Sequence, residues 1–325
     1  MTGVAERRDT VVGGIVAAFA LAWMCLVATE GNGRWPWAGF VIVAAAAYLL
    51  LALPPVRGPL RTLVAGRVTR VIGAVAAVAA GGAALTIASG VSPWWDAALW
   101  PVAFGIALAA VDTDATGEPP PGRLLLAAVA IAILAGRFDW RLQVRAPGGL
   151  DFGLQWFAAL DMMLFLVLVV RPLRTFDVGF GLRGRDLGAA LLAVAALVFI
   201  ALPVGYITGF LHFNVRWNGL GYAAGRLVGL TLFVGLAEEM FFRGIVQEAF
   251  TRLWGARTGW LTASVVFGLT HIVKHAPPLN WRYALLATIA GLAYGWVYQR
   301  TRKLAAAAVT HGLVDWIWGT FLLVP

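Results

Sequence analysis

The sequence predicts an all-α protein, a polytopic transmembrane bundle of about eleven spanning helices. Hydrophobic residues make up 61% of the 325 residues and charged residues only 13%, whereas soluble domains have roughly 45 to 50% and about 25%. Apolar segments of roughly 14 to 25 residues recur along the chain, close to the ~20 residues that a helix needs to cross a bilayer. The chain therefore belongs in a membrane.

Short polar or proline-containing segments separate the predicted spans. The spans begin near Val11, Ala38, Val71, Ala97, Leu124, Phe152, Leu187, Gly221, Trp260, Tyr283 and Leu304. The segment that begins at Leu124 is the shortest, at about 13 residues, so it could be a re-entrant or interfacial helix instead of a span.

Basic residues lie mostly between the apolar segments and indicate the topology. In a soluble protein a net charge of +9 would suggest nucleic acid as a partner, but here the positive charge marks cytoplasmic loops, and we expect no nucleic-acid binding. The predicted cytoplasmic loops are residues 57–70, 112–123, 171–186, 252–257 and 299–303. Frequent alanine, glycine and arginine suit a bacterial protein, so we expect it in the bacterial inner membrane.

The loop 171–186 is the longest strongly basic stretch and separates two parts of the chain. The predicted helices before it contain no chemical motif, whereas the helices after it contain three. We therefore predict accessory N-terminal transmembrane helices in residues 1–175 and a functional module in residues 187–323.

Ionisable side chains interrupt three apolar segments of the second part. On insertion scales each such side chain in a spanning helix costs at least ~2.5 to 3.5 kcal/mol, so a cluster of them is by default a functional-site hypothesis. The candidates are Glu238, Glu239 and Arg243 in LAEEMFFRG, His271 in VVFGLTH, and His311 and Asp315 in AAVTHGLVDW.

The three motifs are predicted to lie at similar depth. With a rise of about 1.5 Å per residue, Glu238 and His271 each lie roughly 21 Å from the basic residue at the cytoplasmic end of their helix, and His311 roughly 12 Å. Glu239 and Arg243 share a helix face, while Glu238 is rotated by about 100° from Glu239. We therefore expect one polar layer, open toward the cytoplasmic side, in which the adjacent glutamates have different roles.

Such a layer supports the activation of water. A carboxylate in a poorly solvated pocket is a competent general base, and a neighbouring histidine can share the proton and orient the water. A second histidine can donate to the oxyanion that develops when a carbonyl is attacked, and Arg243 would hold Glu239 ionised. No activated nucleophile is evident: nothing marks Ser264 as activated, and Cys25 lies in another helix without an obvious base.

Other interpretations stay open from the residues alone. Glu239 with Arg243 is equally explained as a buried structural ion pair, and His311 with Asp315 as a hydrogen bond at i, i+4 spacing. A catalytically silent scaffold, or a bacteriocin-immunity-like protein, could use the same layer to bind a peptide or to lock helices together. A proton-coupled transporter also needs intramembrane Glu and His, but inverted repeats and broken helices are not visible in the sequence.

The motifs E-E-x-x-x-R, F-x-x-x-H and H-x-x-x-N/D, in this order on successive apolar helices, resemble the CPBP family of CAAX-processing and bacteriocin-processing intramembrane proteases, also called the Abi family. The matching residues are Glu238, Glu239, Arg243, Phe267, His271, His311 and Asp315. The resemblance covers about residues 187–323. It implies a glutamate-dependent intramembrane endopeptidase in which Glu238 and His271 activate water, His311 with its partner forms the oxyanion site, and the substrate is a membrane-embedded or lipidated peptide.

Asp315 departs from the pattern of the prenyl proteases, which typically carry Asn at this position. An ionised aspartate cannot donate to an oxyanion, so Asp315 either stays protonated or orients His311, and a prenylated substrate is left open. The Glu, His, His and Asp set could bind zinc, but it lacks H-E-x-x-H geometry and Arg243 would place a cation beside the metal. We therefore expect no metal and no other cofactor, and His275, which precedes two prolines, is not expected to be a ligand.

Overall fold

The computed structural model of the chain describes residues 2–30, 35–64, 94–111, 117–138, 143–146, 150–274 and 279–323, with short helical pieces between residues 72 and 84. The chain divides into two compact units, Met1–Phe176 and Asp177–Pro325, and each is described by itself. Helices dominate the described residues, so the all-α class is confirmed. The predicted span that begins at Val71 lies mostly outside the described residues.

The first unit consists of helices that pack around an aromatic core. Its elements are α1 (Thr2–Glu30), α2 (Trp35–Leu51), α3 (Pro54–Val64), a 3-10 turn (Trp94–Ala98), α4 (Leu99–Val111), α5 (Pro121–Phe138), β1 (Gln143–Ala146), β2 (Leu150–Gly153) and α6 (Leu154–Phe165), followed by a π-type turn (Leu166–Val170). β1 pairs antiparallel with β2. Where α2 packs on α6, the rings of Tyr48 and Phe157 stack with their centroids 5.6 Å apart, and both side chains are buried.

A sharp bend separates α2 from α3. The segments Val43–Leu51 and Pro54–Val64 meet at 89°. Pro54 has no N–H to continue the hydrogen bonding of α2, and a proline disfavours helical geometry in the residue before it. The same fixed φ suits the first turn of a new helix, so α3 begins where α2 has been stopped.

The second unit is a bundle in which α10 packs on α7, α9 and α11. Its elements are α7 (Gly184–Ile207), β3 (His212–Phe213), α8 (Leu220–Trp254), α9 (Ala256–Thr270), α10 (Trp281–Thr301), α11 (Leu304–Phe321) and β4 (Leu322–Leu323). β3 pairs antiparallel with β4. Because α10 lies between the other helices, most of its buried positions are alanine, glycine or tyrosine, with Leu286 and Val297 as the exceptions.

Ion pairing ties the start of α7 to the start of α11. The Asp186 carboxylate accepts the backbone N–H of Arg183 at 2.9 Å, which caps the first turn of α7. The same oxygen of Asp186 accepts from Nζ of Lys303 at 3.0 Å, and Nζ also donates to the Gly181 carbonyl at 2.7 Å. One lysine thus fixes the basic loop against the helix that carries His311.

Glycines allow α8 and α11 to approach closely. A Cβ built on Gly235 would lie 2.9 Å from the Ala308 carbonyl oxygen, and one built on Gly312 would lie 2.6 Å from Cα of Thr231. Small residues at such contacts are typical of helix packing in membranes, where close backbone approach replaces hydrophobic association.

Two helices of the described residues are long and apolar enough to cross a membrane, α7 (Gly184–Ile207) and α8 (Leu220–Trp254), and the bent pair of α2 and α3 would be a third. The predicted number of about eleven spans is therefore not confirmed. The helices that begin near three predicted starts are shorter, at Asp96–Val111, Pro121–Gly136 and Trp156–Val170. At about 1.5 Å per residue they fall short of a ~30 Å hydrocarbon core.

Candidate active site

A buried ion pair lies in the middle of α8. Glu239 and Arg243 are both fully buried, and Nε of Arg243 lies 3.1 Å from Oε2 of Glu239. A second guanidinium nitrogen of Arg243 donates to the Gly291 carbonyl at 2.9 Å. The guanidinium also lies over the rings of Phe267, at 4.9 Å, and Tyr294, at 5.6 Å. Cation–π contacts of this kind strengthen when water is excluded, so Arg243 is held by α8, α9 and α10 together.

His311 of α11 connects this pair to the rest of the site. Its Nδ1 lies 2.8 Å from Oε1 of Glu239. Because a carboxylate oxygen accepts, Nδ1 carries the hydrogen and donates. The ring is buried and stacks on Tyr294, with centroids 4.4 Å apart and planes 16° apart. Glu239 and Tyr294 therefore fix the orientation and the plane of the His311 ring.

The second ring nitrogen of His311, Nε2, faces two further carboxylates. Nε2 lies 3.4 Å from Oδ2 of Asp315 and 4.0 Å from Oε2 of Glu238. The side chain of Asp315 is 34% exposed and that of Glu238 is 16% exposed, whereas Glu239 has no exposure. Glu238 Oε2 is buried and makes no hydrogen bond. The two neighbouring glutamates therefore have different environments: Glu239 is enclosed, whereas Glu238 is partly exposed.

A cavity of about 410 Å³ lies in front of these groups. Its walls include Glu238, His271, His311, Asp315 and Tyr294. Glu239 and Arg243 do not line it; they lie behind His311. Of the six predicted site residues, four therefore meet at one cavity and two support them.

His271 lies where α9 ends. Its Nδ1 is 2.9 Å from the Phe267 carbonyl, one turn earlier, and 3.3 Å from Oγ1 of Thr270. A carbonyl oxygen only accepts, so Nδ1 donates and the neutral ring keeps an acceptor at Nε2. The ring packs edge-on against Tyr283 at 5.0 Å and lies 4.7 Å from the ring of Phe267. Phe267, which belongs to the predicted motif, thus positions His271 through its backbone and its ring.

Aromatic and cationic residues of the cavity were not predicted. Tyr283 and Tyr294 orient the histidines, and Arg216, Arg226 and Lys274 also line the cavity. The guanidinium of Arg226 packs on Gly319, where an added Cβ would collide with it. Arg226 could have been identified from the sequence, because it is a charged residue within a predicted span. The tyrosines could not, because a tyrosine in an apolar helix does not show which neighbour it will contact.

Four other sequence predictions concern alternative chemistry, namely those on Ser264, Cys25, His275 and a metal ion. Ser264 is fully buried and donates to the Trp260 carbonyl at 2.8 Å, so it is not presented to the cavity. The side chain of Cys25 and all of His275 lie outside the described residues. Among the described residues, no group of three or more His, Cys, Asp or Glu is arranged to hold a metal ion. The guanidinium of Arg243 on Glu239 does not suit a zinc ligand at Glu239, but a histidine whose Nδ1 donates to an oxygen can still bind a metal through Nε2. Metal independence therefore stays a prediction.

Comparison with known proteins agrees with the position of the site. Residues 220–317 match a family described as type II CAAX prenyl endopeptidase Rce1-like. The uncharacterized protein YpbD of Bacillus subtilis (strain 168) is 28% identical over 89 residues, which are 27% of this chain and 41% of that protein. The alignment thus spans less than half of the length of this relative. No solved structure matches the chain.

The apolar helices and the buried carboxylate and histidine site define an integral membrane protein. Its residues 220–317 match the Rce1-like, type II CAAX prenyl endopeptidase family, which is part of the CPBP group, and the resemblance drawn from the motifs is confirmed over these residues. At the level of the family, the associated activity is that of a CAAX-type intramembrane protease.

Proposed function

We propose that this protein is an active intramembrane endopeptidase that hydrolyses a peptide bond of a membrane-embedded or lipidated substrate. The observation that carries the proposal is that one cavity is lined by both Glu238, whose side chain is 16% exposed, and His271, whose Nε2 is an acceptor. Both groups can accept a proton from a water molecule between them. A purely structural ion pair would have no need of a carboxylate that faces a cavity.

In the proposed reaction, Glu238 is the general base. It takes a proton from water while the water oxygen bonds to the carbonyl carbon of the scissile peptide. His271 accepts a hydrogen bond from the same water and orients it. The bond between carbon and nitrogen then breaks as the proton passes from Glu238 to the leaving nitrogen, so that a carboxylic acid and an amine are released and Glu238 is again a carboxylate.

His311 is the proposed oxyanion donor. Its Nδ1 donates to Glu239, so Nε2 can donate to the substrate only when the ring is the doubly protonated imidazolium, a form that the nearby carboxylates of Asp315 and Glu238 would stabilise. At 3.4 Å from Nε2, the carboxylate of Asp315 is a long hydrogen-bond acceptor, which an oxyanion can replace as charge develops. The contact favours the second of the two roles considered for Asp315, orientation of His311, over direct donation.

The walls of the cavity indicate the chemical class of substrate. Apolar side chains of α8, α10 and α11 alternate with the polar groups; they include Leu230, Val234, Leu286, Val314 and Trp318. A volume of about 410 Å³ is within the range of small-ligand sites, which suits a short extended segment of an apolar peptide. We propose that the partner is a membrane protein or peptide and that the site opens toward the cytoplasmic side of a bacterial inner membrane.

The test is cleavage of a panel of membrane-tethered reporter peptides by the purified full-length protein, with and without a chelator. We expect cleavage by the wild type to resist the chelator and to be lost in both Glu238→Ala and His271→Ala. Loss of cleavage with the chelator would restore a metal-dependent mechanism. Cleavage that persists in Glu238→Ala would remove Glu238 as the base.

The alternative is a catalytically silent scaffold or immunity-like protein on the same fold. One observation favours it: Arg243, Glu239, His311 and Asp315 form a continuous chain of contacts that would also lock α8 and α11 together. A scaffold requires the shape of Glu238 and not its charge, so Glu238→Gln would preserve its biological function. An enzyme would lose that function with this substitution.

A further inference from the structure

A second cavity in the first unit carries a charge pattern that the proposed hydrolysis does not use. It has a volume of about 410 Å³ and is lined on one side by α3 and on the other by the segment after the π-type turn of α6. Three of its lining residues are arginines, Arg57, Arg61 and Arg174. Apolar residues complete the walls, among them Leu173 and Phe176, which are almost fully buried.

The arginines are arranged by the local fold. Arg57 and Arg61 are four residues apart, so they share one face of α3. Nε of Arg61 donates to the Leu168 carbonyl at 2.7 Å, which fixes the side chain against the π-type turn. Opposite them, the backbone N–H of Leu173 donates to the Val167 carbonyl at 2.9 Å, so the second wall is also held in place.

Arg174 presents its charge to solvent. Its side chain is 83% exposed, and its Nε lies 3.8 Å from Oε1 of Glu118. The backbone N–H of Arg174 donates to the same oxygen at 3.0 Å. Glu118 offsets part of the positive charge, and the described residues that line the cavity include three arginines and no acidic residue. Planar guanidinium groups are well suited to pair with the oxygens of a phosphate.

The position of α3 indicates where the phosphate comes from. The 89° bend after α2 turns α3 into the plane of the membrane if α2 runs across it, which is the orientation of an interfacial amphipathic helix. On α3, Leu63 is 57% exposed, available to lipid, while the arginines face the cavity. Residues of three predicted cytoplasmic loops, 57–70, 112–123 and 171–186, meet here. Basic pockets on that side of a membrane bind the head groups of anionic lipids.

We infer that this cavity binds the phosphodiester head group of an anionic phospholipid, with Arg57, Arg61 and Arg174 on the phosphate and the buried apolar wall against the glycerol backbone. The apolar half of the cavity favours a lipid over free phosphate, since inorganic phosphate has nothing to place against Leu173 and Phe176. The inference is independent of the proposed hydrolysis, because none of these residues belongs to the unit that carries the proposed active site.

The test is native mass spectrometry of the full-length protein in detergent micelles, titrated with phosphatidylglycerol or with phosphatidylcholine of the same acyl chains. The wild type is expected to retain phosphatidylglycerol in preference. A cation near an anionic membrane surface contributes roughly fivefold in affinity, so the double variant R57Q/R61Q should lose about 25-fold and R174Q about fivefold. The control R257Q/R300Q removes two exposed arginines of other predicted cytoplasmic segments and should bind as the wild type does.

Each outcome decides the inference. Equal retention of the two lipids by the wild type, or wild-type affinity in R57Q/R61Q, would overturn it. An equal loss in R257Q/R300Q would reduce the effect to overall charge, and full displacement of the lipid by inorganic phosphate at the same concentration would remove the lipid assignment. If R57Q/R61Q no longer unfolds cooperatively, R174Q decides, because its exposed side chain can be removed without loss of the fold, and unchanged affinity there would contradict the inference.

Discussion

At the scale of single residues, the site is defined by two adjacent glutamates that meet different surroundings. Glu239 is enclosed by Arg243 and His311, and Glu238 faces the cavity. An ionised carboxylate can remain in an apolar bundle only when its charge is matched nearby. Arg243 does this for Glu239, which leaves Glu238 as the carboxylate with an oxygen for water.

Glu239→Gln should lower kcat by about 100-fold and leave KM nearly unchanged, because general acid–base assistance contributes 10²- to 10⁴-fold and Glu239 does not line the cavity. The amide keeps the shape but not the charge that fixes His311. Steady-state cleavage of a reporter peptide measures the two constants. Glu248→Gln is the control, since Glu248 is another buried carboxylate of α8, paired with Arg302 at 3.5 Å. Equal losses in both variants would mean that Glu239 is only structural.

Arg243→Met should destabilise the protein by about 3 to 5 kcal/mol, because it leaves the charge of Glu239 buried without a partner. The double variant Arg243→Met with Glu239→Gln should recover a large part of this loss. The free energy of unfolding in mixed micelles measures both. A double variant that is as unstable as the sum of the two single variants would show that the residues do not act as a pair.

At the scale of elements, the site depends on the close contact of α8 with α11. Two π-type stretches, Leu230–Gly235 and Phe242–Gln247, flank the short α-helical segment that carries both glutamates. Such stretches are frequent at functional sites because each inserts a residue and turns the following side chains. The motifs in the sequence identified the chemical groups of the site. The geometry of a regular α-helix was enough to predict that Glu238 and Glu239 point in different directions. The π-type stretches follow from tertiary packing, which periodicity does not reveal.

Gly312→Ala should separate α8 from α11 and reduce cleavage together with stability. A Cβ at this position would lie 2.6 Å from Cα of Thr231, and a backbone atom cannot move aside, so we expect a loss of about 1 to 3 kcal/mol, typical of overpacking. Gly188→Ala is the control: Gly188 lies in α7 with no atom near its added Cβ. Thermal unfolding and the rate of cleavage give the comparison. Wild-type behaviour of Gly312→Ala would mean that the helices have room to separate.

At the scale of the whole molecule, the sequence predicted the helical membrane class and the set of groups at the site, but not the number of spans. Composition and the cost of a buried charge are local properties, so they can be predicted from the sequence alone. The length of each helix is harder to predict: proline chemistry explains the bend at Pro54, but no comparable local signal marks the end of α9 just before His271. The stacking of Tyr294 on His311 could not be predicted from the sequence either, because it depends on how α10 packs.

A chain that begins at Asp177 should still fold and cleave. All residues of the proposed site, and the whole cavity, belong to the second compact unit. Its helices also contain the matched family domain. Cleavage by this shorter chain in proteoliposomes, compared with the full-length protein, is the measurement. A folded fragment that binds the reporter peptide but does not cut it would mean that residues 1–176 contribute to catalysis.

Single-turnover cleavage by Glu238→Gln is the most direct measurement of whether the carboxylate of Glu238 activates water. The substitution keeps the size of the side chain and removes its basicity. With a reporter that the wild type cleaves, we predict unchanged peptide binding and a cleavage rate lower by about 10³-fold, within the range of general-base catalysis. A Glu238→Gln protein that binds and cleaves at the wild-type rate would show that the Glu238 carboxylate does not activate water.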